Sequence, residues 1–406
     1  MAAEPLVERR AERRAGRRDR RRTGWAVGAG AAGVVLLAVL GMAALAGGDP
    51  AGTPSGTVPA SGQAWSAQEE AERFLDTWVD EDGRVVRRDQ GGDTVSEGQA
   101  YGLLIAVGAD DEARFDLIWQ WTKTHLMRDD GLLSWHWQDG QVRDTGPAAD
   151  AELDAARALV LAGESFGRPD LTADGNALAA EVLDTMTART SLGLVLLPGL
   201  WAADGSDYTY NPSYASPVSF SVLAGSTGDG RWAEIMAGSA NATNALLDQS
   251  ALPPDWSLIQ AGQGIGAIAG AEGTGAAAHY SYDAARLPVR YAESCRAEDR
   301  QIAARLHAPL GAQVQIPVTL DLDGSGSAGD QHPLAYLARA AAAAADGEPG
   351  SAARDIDRAY RLRQDYDTYY GAAWTALTRL MLETDTLGGC PTLEEGVRGP
   401  DVSGNE

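Results

Sequence analysis

The chain has 406 residues, 44% of them apolar, and a formal net charge of −24, enough for one large catalytic domain or two modest ones. A body this acidic repels phosphate backbones, which excludes nucleic acid as a partner class. The two cysteines, Cys295 and Cys390, have neither C-x-x-C spacing nor a nearby histidine cluster, so no structural metal is expected; pairing in one long-loop disulfide or two buried thiols both remain open.

Residues 1–24 are crowded with arginine, from Arg9 to Arg22, and precede an uncharged apolar run over 25–47. Such a run is long enough to cross a bilayer with its positive flank inside. It reads as a transmembrane helix or a signal-peptide core, with a cleavage option near Ala44-Leu45-Ala46. The chain beyond Gly48 is therefore expected outside the cytoplasm, secreted or held at the membrane by this helix. Residues 48–63, rich in Gly, Pro, Ser and Thr, read as a flexible linker.

Residues 64–387 read as one domain and 388–406 as an irregular tail. Ser66-Ala67-Gln68-Glu69 is a capping box, and Phe74, Leu75, Trp78 and Val79 share one face of the helix it opens. Helical patterns follow over Glu97–Val107, Glu112–His125, Ala149–Ser165, Leu171–Ala188, Trp232–Leu247, Ala276–Glu293, Pro333–Ala345 and Tyr369–Leu382. Strand patterns are few and short. Helices joined by Gly-, Pro-, Asp- and Trp-bearing stretches, such as Asp129–Trp135 and Leu252–Trp256, predict an all-α domain with its site on loops and helix ends. No fixed-period repeat supports a solenoid.

Three acids stand among Gly, Ala and Tyr instead of within a charged surface pattern: Glu97 in Thr94–Gly102, Asp150 in Ala148–Asp154 and Asp283 in Tyr280–Arg286. Each has an ordinary alternative. Glu97, with Ser96 or Thr94 as the N-cap, and Asp150 would simply complement a helix dipole; Asp283 and Arg286 would be an (i, i+3) ion pair on a helix.

Taken together, the motifs resemble glycoside hydrolase family 8, the bacterial endoglucanases. The segments that carry the resemblance, in family order, are Glu97-Gly98-Gln99-Ala100-Tyr101-Gly102, Asp130–Trp135, the helix Ala148–Phe166, Asn211-Pro212-Ser213-Tyr214 and Tyr282-Asp283-Ala284-Ala285-Arg286. The resemblance implies an (α/α)6 barrel with an acidic cleft at one end, acting on a β-1,4-linked polysaccharide inside its chain, with inversion; no G-x-G-x-x-G, P-loop or H-E-x-x-H motif is present, so no cofactor is expected, and the chain is expected to be a monomer. It makes Glu97 the general acid, Asp283 the general base and Asp150 a sugar-binding acid at the point of cleavage. Tyr214 would help hold the water, and Tyr282 and Arg286 would orient Asp283 and the sugar. An acid that donates near neutrality must be desolvated or face other carboxylates, while Arg286 would keep Asp283 ionised; inversion also calls for about 6.5 to 9.5 Å between the carboxyl groups.

Trp135 is the leading sugar platform, because sugar rings pack their CH faces on aromatic side chains. Trp137, Trp201, Tyr208, Tyr210, Trp256, Tyr369 and Tyr370 are further candidates. Ala149, Glu152, Ala155 and Val289 depart from the family pattern, which predicts reshaped subsites beside the cut. Chitosan, xylan and mixed-linkage glucan are the alternative substrates, and a non-catalytic glycan-binding protein is the alternative class.

Overall fold

The computed structural model describes residues 65–275, 277–326 and 329–394; the predicted basic segment, apolar run and linker lie outside them. Twelve helices of six or more residues form two concentric layers among the described residues. In chain order the helices are α1 (Ala67–Trp78), α2 (Ser96–Gly108), α3 (Glu112–His125), α4 (Ala149–Ser165), α5 (Pro169–Thr185), α6 (Pro217–Thr227), α7 (Arg231–Leu247), α8 (Leu287–Ala292), α9 (Ala297–Arg305), the single turn α10 (His307–Leu310), α11 (Pro333–Ala345), α12 (Pro349–Asp365) and α13 (Tyr369–Glu383).

Helices α2, α4, α6, α8, α11 and α13 touch one another in that order, and α13 returns to α2, closing an inner ring. The alternate helices form the outer layer, each packed on inner neighbours. This is the (α/α)6 barrel that the motifs imply. Burial follows from composition. Every residue of α2 but Glu97 is buried, as is every residue of α13 but Tyr370, because a helix apolar on all sides has no face to give to water. The outer α12 is interrupted throughout by charged residues and buries only a stripe that includes Ala352, Ile356 and Ala359.

Connections from inner to outer helices are short, as between Gly108 and Glu112 or Ala345 and Pro349. Gly228 (φ 69°) and Gly347 (φ 79°) turn two of them through the left-handed region that suits glycine. Most connections from outer to inner helices are long and carry the small antiparallel sheets. Strands β1 (Thr94–Val95), β2 (His136–Gln138) and β3 (Gln141–Asp144) form one, and β4 (Thr187–Thr190) and β5 (Gly193–Leu196) a second. Strands β6 (Ala203–Asp204), β7 (Asp207–Tyr210), β8 (Trp256–Gln260) and β9 (Gly264–Ile268) form the third. The elaborated connections thus gather where the inner helices begin, the end that a rigid scaffold offers for function.

The capping box at Ser66 forms in full. Three expectations are corrected. Ala276–Glu293 is not one helix: Tyr280 exchanges backbone hydrogen bonds with Leu320, a 3-10 turn covers Ala284–Arg286, and α8 starts at Leu287 with Pro288 in its first turn. The helix expected to reach Ala188 ends at Thr185, because residues 187–190 pair with β5. The N-cap of α2 is Val95, not Ser96 or Thr94; the Thr94 hydroxyl donates to the Val85 carbonyl instead.

Cys295 and Cys390 form a disulfide. Residues 388–394 are irregular but attached: Leu393 is buried, and the Cys390 N–H donates to the Glu293 carbonyl at 2.8 Å.

Candidate active site

Five of the six inner helices bring a candidate side chain to the elaborated end, at or just before their first turn. Glu97 is in the first turn of α2, Asp150 in that of α4, Tyr214 in the 3-10 turn Pro212–Tyr214 ahead of α6, Asp283 ahead of α8 and Tyr370 in the first turn of α13. The sixth, α11, is preceded by His332, whose side chain accepts the Leu334 N–H. Helix N-termini carry positive partial charge, so a ring of them suits a cluster of carboxylates.

Arg286 ties the cluster together. It is 3% exposed, and it donates to Asp150 Oδ2 at 2.7 Å, Asp283 Oδ1 at 2.5 Å, Ser213 Oγ at 3.0 Å and the Tyr101 hydroxyl at 3.2 Å. Its guanidinium also stands 5.2 Å from the Tyr214 ring centre. Asp283 reaches it from three residues away across the 3-10 turn, whose period places i and i+3 side chains one above the other. The ion pair expected on a regular helix is therefore real but belongs to a tighter turn. Asp283 keeps 30% of its side-chain surface accessible, whereas Asp150 keeps 1%.

Glu97 is half-buried. Its Oε1 accepts the Trp135 indole N–H at 3.0 Å and its Oε2 the Ser96 hydroxyl at 3.3 Å. Burial and then the Asp150 charge push its carboxyl up to about 7, against the smaller opposing effects of its backbone, Trp135 and Arg87. The helix dipole and hydrogen bonds would favour the anion; desolvation and a neighbouring carboxylate win. Burial also raises Asp150. The Tyr214 phenol is held well above its ordinary range by burial and by the Asp150 and Asp283 charges, so it stays neutral and able to donate.

Trp135, the expected platform, holds the Glu97 carboxyl through its indole N–H. The Ser96 N–H donates to the Trp135 carbonyl at 2.9 Å, and the Leu133 N–H in the same loop donates to Glu152 Oε1 at 2.8 Å. The Tyr282 ring packs near His332 and Tyr370, with centroids 5.1 and 6.2 Å away, and the Tyr370 hydroxyl meets the Tyr282 carbonyl at 3.3 Å. Burial lowers the His332 imidazole to about 4, so that ring is neutral. Trp201 is 39% exposed beside Trp256, 6.0 Å away, which in turn packs against Tyr214.

The remaining aromatic candidates differ in setting. Tyr210 and Tyr369 are buried at 1% and 2%, and Trp137 has the Arg84 guanidinium 4.5 Å from its ring centre. Tyr208 packs against the small core of the third sheet. The departures from the family pattern, Ala149, Glu152, Ala155 and Val289, are each 0% exposed. Their side chains thus lie behind the surface of the site, and Glu152 acts on it indirectly by holding the Leu133 N–H in the loop that carries Trp135. Sequence reasoning missed Asp255, Ser213, Tyr101 and His332 as members of the cluster. Ser213 and Tyr101 lie inside the family motifs and were there to be taken; Asp255 and His332 carry no local signal beyond an Asp and a His beside prolines. Among the described residues no group of His, Cys, Asp and Glu has the arrangement of a metal site.

Residues 56–383 match the family model described as Glycosyl hydrolases family 8. A probable endoglucanase of Novacetimonas hansenii is 32% identical over 313 residues, covering 75% of this chain and 87% of the relative. Endoglucanase A of Acetivibrio thermocellus is 28% identical over 314 residues, 71% of this chain and 62% of its own length. Among solved structures, the endo-beta-1,4-glucanase CMCax from Acetobacter xylinum superposes with a TM-score of 0.65 at 28% identity, over 78% of this chain and 97% of that one. With the barrel and the acid cluster at the mouth of its inner helices, these matches make the chain a member of glycoside hydrolase family 8.

Proposed function

We propose that this chain is an endo-acting, inverting hydrolase of β-1,4-linked glucan that works outside the cytoplasm. Glu97 gives its proton to the leaving glycosidic oxygen while Asp283 takes one from a water attacking the opposite face of the sugar. Asp150 and Arg286 bind and orient the sugar at the cut, Tyr214 donates to the water, and Tyr282 and Trp135 flank them. The proton gained by Asp283 and the one lost by Glu97 exchange with solvent to reset the site.

The observation that carries this reading is the unequal setting of the acids. Burial and Asp150 raise Glu97 to about 7, which suits a proton donor near neutrality, while the partly exposed Asp283 is ion-paired with Arg286. Glucan is favoured over chitosan, xylan and mixed-linkage glucan by the relatives that align over most of their own length, a probable endoglucanase and an endo-beta-1,4-glucanase. A β-1,3-1,4-glucanase from Paenibacillus sp. X4 shares the fold at a TM-score of 0.69, but its 18% identity speaks of fold alone. The arginines and the apolar run of residues 25–47 support export, with the helix retained as an anchor or cleaved.

The test is release of reducing ends from carboxymethyl cellulose, chitosan, xylan and lichenan by the exported domain. Glu97→Gln and Asp283→Asn should each lower kcat on the glucan by about 10²- to 10⁴-fold, and proton NMR of a cello-oligosaccharide digest should show the α-anomer first. A β-anomer first would end the inverting assignment. A wild-type protein that binds one of these polymers and cuts none would leave a glycan-binding protein in its place.

A further inference from the structure

Asp283 occupies the N-cap of the 3-10 turn Ala284–Arg286, yet its side chain makes no capping hydrogen bond. An aspartate there ordinarily folds back onto the backbone N–H groups that the first turn leaves without partners. Here the carboxylate turns to the Arg286 guanidinium instead. The Ala285 and Arg286 N–H groups are met by the Ser281 and Asp283 carbonyls at 2.9 and 3.1 Å, and the Ser281 and Ala284 N–H groups by another segment. Asp255, at the end of Leu252-Pro253-Pro254, places Oδ1 at 2.8 Å from both the Ser281 and the Ala284 N–H, so a single oxygen brackets Tyr282 and Asp283.

The Asp255 segment is itself held. Its N–H donates to the His279 carbonyl at 2.8 Å, Leu252 N–H donates to the Leu322 carbonyl at 2.9 Å, and Leu252, Pro253 and Pro254 are buried. On its other side β8 begins with Trp256, which packs against Tyr214. Ser281 is pinned a second time through its hydroxyl, 2.9 Å from that of Thr319. The turn that carries Asp283 is thus fixed from outside at both ends.

We propose that Asp255 is a positioning residue that holds the 281–284 turn through the Ser281 and Ala284 N–H groups and so fixes where the Asp283 carboxylate meets the water. This rests on the reading of Asp283 as the general base. The role needs an acceptor oxygen and not a charge: burial and the Asp283 charge push the Asp255 carboxyl up to about 7, and its oxygen accepts from the two N–H groups in either protonation state. An amide in its place would do the same.

The experiment compares kcat and KM on a soluble β-1,4-glucan for wild type, Asp255→Asn, Asp255→Ala and Asp283→Asn, with thermal unfolding of each. Asp255→Ala leaves the Ser281 and Ala284 N–H groups without their acceptor and loosens the turn that carries Asp283, and kcat should fall about 10- to 100-fold, the scale of an ångström of misplacement, with KM within about twofold. Asp255→Asn should restore kcat to within about threefold of wild type. A folded alanine variant with wild-type kcat overturns the assignment, and so does an asparagine variant as slow as the alanine one. Should Asp255→Ala fail to fold, Asp255→Ser, whose shorter side chain cannot bracket the turn, carries the same comparison. Wild-type activity in Asp283→Asn would instead remove the base reading itself.

Discussion

Helix α4 and the 286–293 segment that contains α8 are joined by three buried ion pairs, and the two ends of this ladder behave differently. At the end away from the site, Arg290 meets Asp154 through two hydrogen bonds of 2.8 and 2.7 Å, and Arg157 meets Glu293 through two of 2.9 and 2.7 Å. Each arginine faces a single carboxylate, with side chains at 0 to 1% exposure. At the site end, the Arg286 guanidinium is divided between Asp150 and Asp283 and also serves Ser213 and Tyr101. All three pairs join residues 136 apart in sequence, so the register of the two segments is constant from end to end. What changes is the charge balance: neutral pairs below, and above them Asp150 and Asp283 sharing Arg286, with Glu97 near Asp150. The excess of carboxylates adds to burial in raising Glu97, so the same scaffold is a strut at one end and an acid–base pair at the other.

The sharpest way to break this contrast is to open a lower rung. Asp154→Leu leaves Arg290 buried without its partner and should cost about 3 to 5 kcal/mol of stability, while kcat of the folded fraction stays within about twofold. Adding Arg290→Met should recover most of the loss, because an apolar pair of similar volume carries no desolvation cost. Denaturant unfolding and kcat on the same preparations decide it. A tenfold fall in kcat at full folding would mean that the rungs are electrostatically one unit and the contrast is false.

A smaller effect is expected from the chain beneath the ladder. The Leu387 carbonyl accepts from Arg157 Nε at 3.0 Å and Nη2 at 2.5 Å, and Cys390 is bonded to Cys295, two residues past Glu293. The disulfide closes a segment of 95 residues. Its removal in a Cys295→Ser, Cys390→Ser variant should cost about 2 to 4 kcal/mol, measured as a lowered unfolding midpoint, with kcat unchanged below the transition. A loss of kcat without a loss of midpoint would show that the far end reaches the site.

The two ends were not equally legible in the sequence. Glu97, Asp150, Asp283 and Arg286 stand in motifs, and an acid in an otherwise apolar helix is visible because nothing else in α2 calls for charge. The lower rungs were hidden, since Asp154, Arg157, Arg290 and Glu293 read as ordinary helix charges until two segments over a hundred residues apart are brought together. Two long helices, Glu112–His125 and Ala149–Ser165, match the structure as read. The outer α12 was missed because charged residues interrupt it throughout and its buried stripe is narrow. Around Asp283 the helical pattern was read through a bridge and a 3-10 turn, because the bridging partner Leu320 and the capping Asp255 both lie outside the local window. Whether the two cysteines pair was likewise set by tertiary approach.

The smallest expected effect bears most directly on what the site end gives up for chemistry. The Glu97 carboxyl is raised to about 7 in the folded chain from 4.5, so the folded state binds its proton more tightly than the unfolded state does. Below about pH 4.5 the group is protonated in both states and contributes no penalty. Between 4.5 and 7 the unfolded chain ionises first, and stability falls as pH rises; above 7 the penalty is complete. A shift of this size corresponds to at most about 3 kcal/mol. Glu97→Gln removes the titration and should therefore be more stable than wild type by up to about 3 kcal/mol at pH 8, with the gain shrinking towards zero at pH 4. As a proton donor, Glu97 should also set the alkaline limb of kcat/KM in the wild type near pH 7. If unfolding free energies at pH 4 and pH 8 show the same difference between variant and wild type, Glu97 is not held protonated by its surroundings, and the site end is no more strained than the rungs below it.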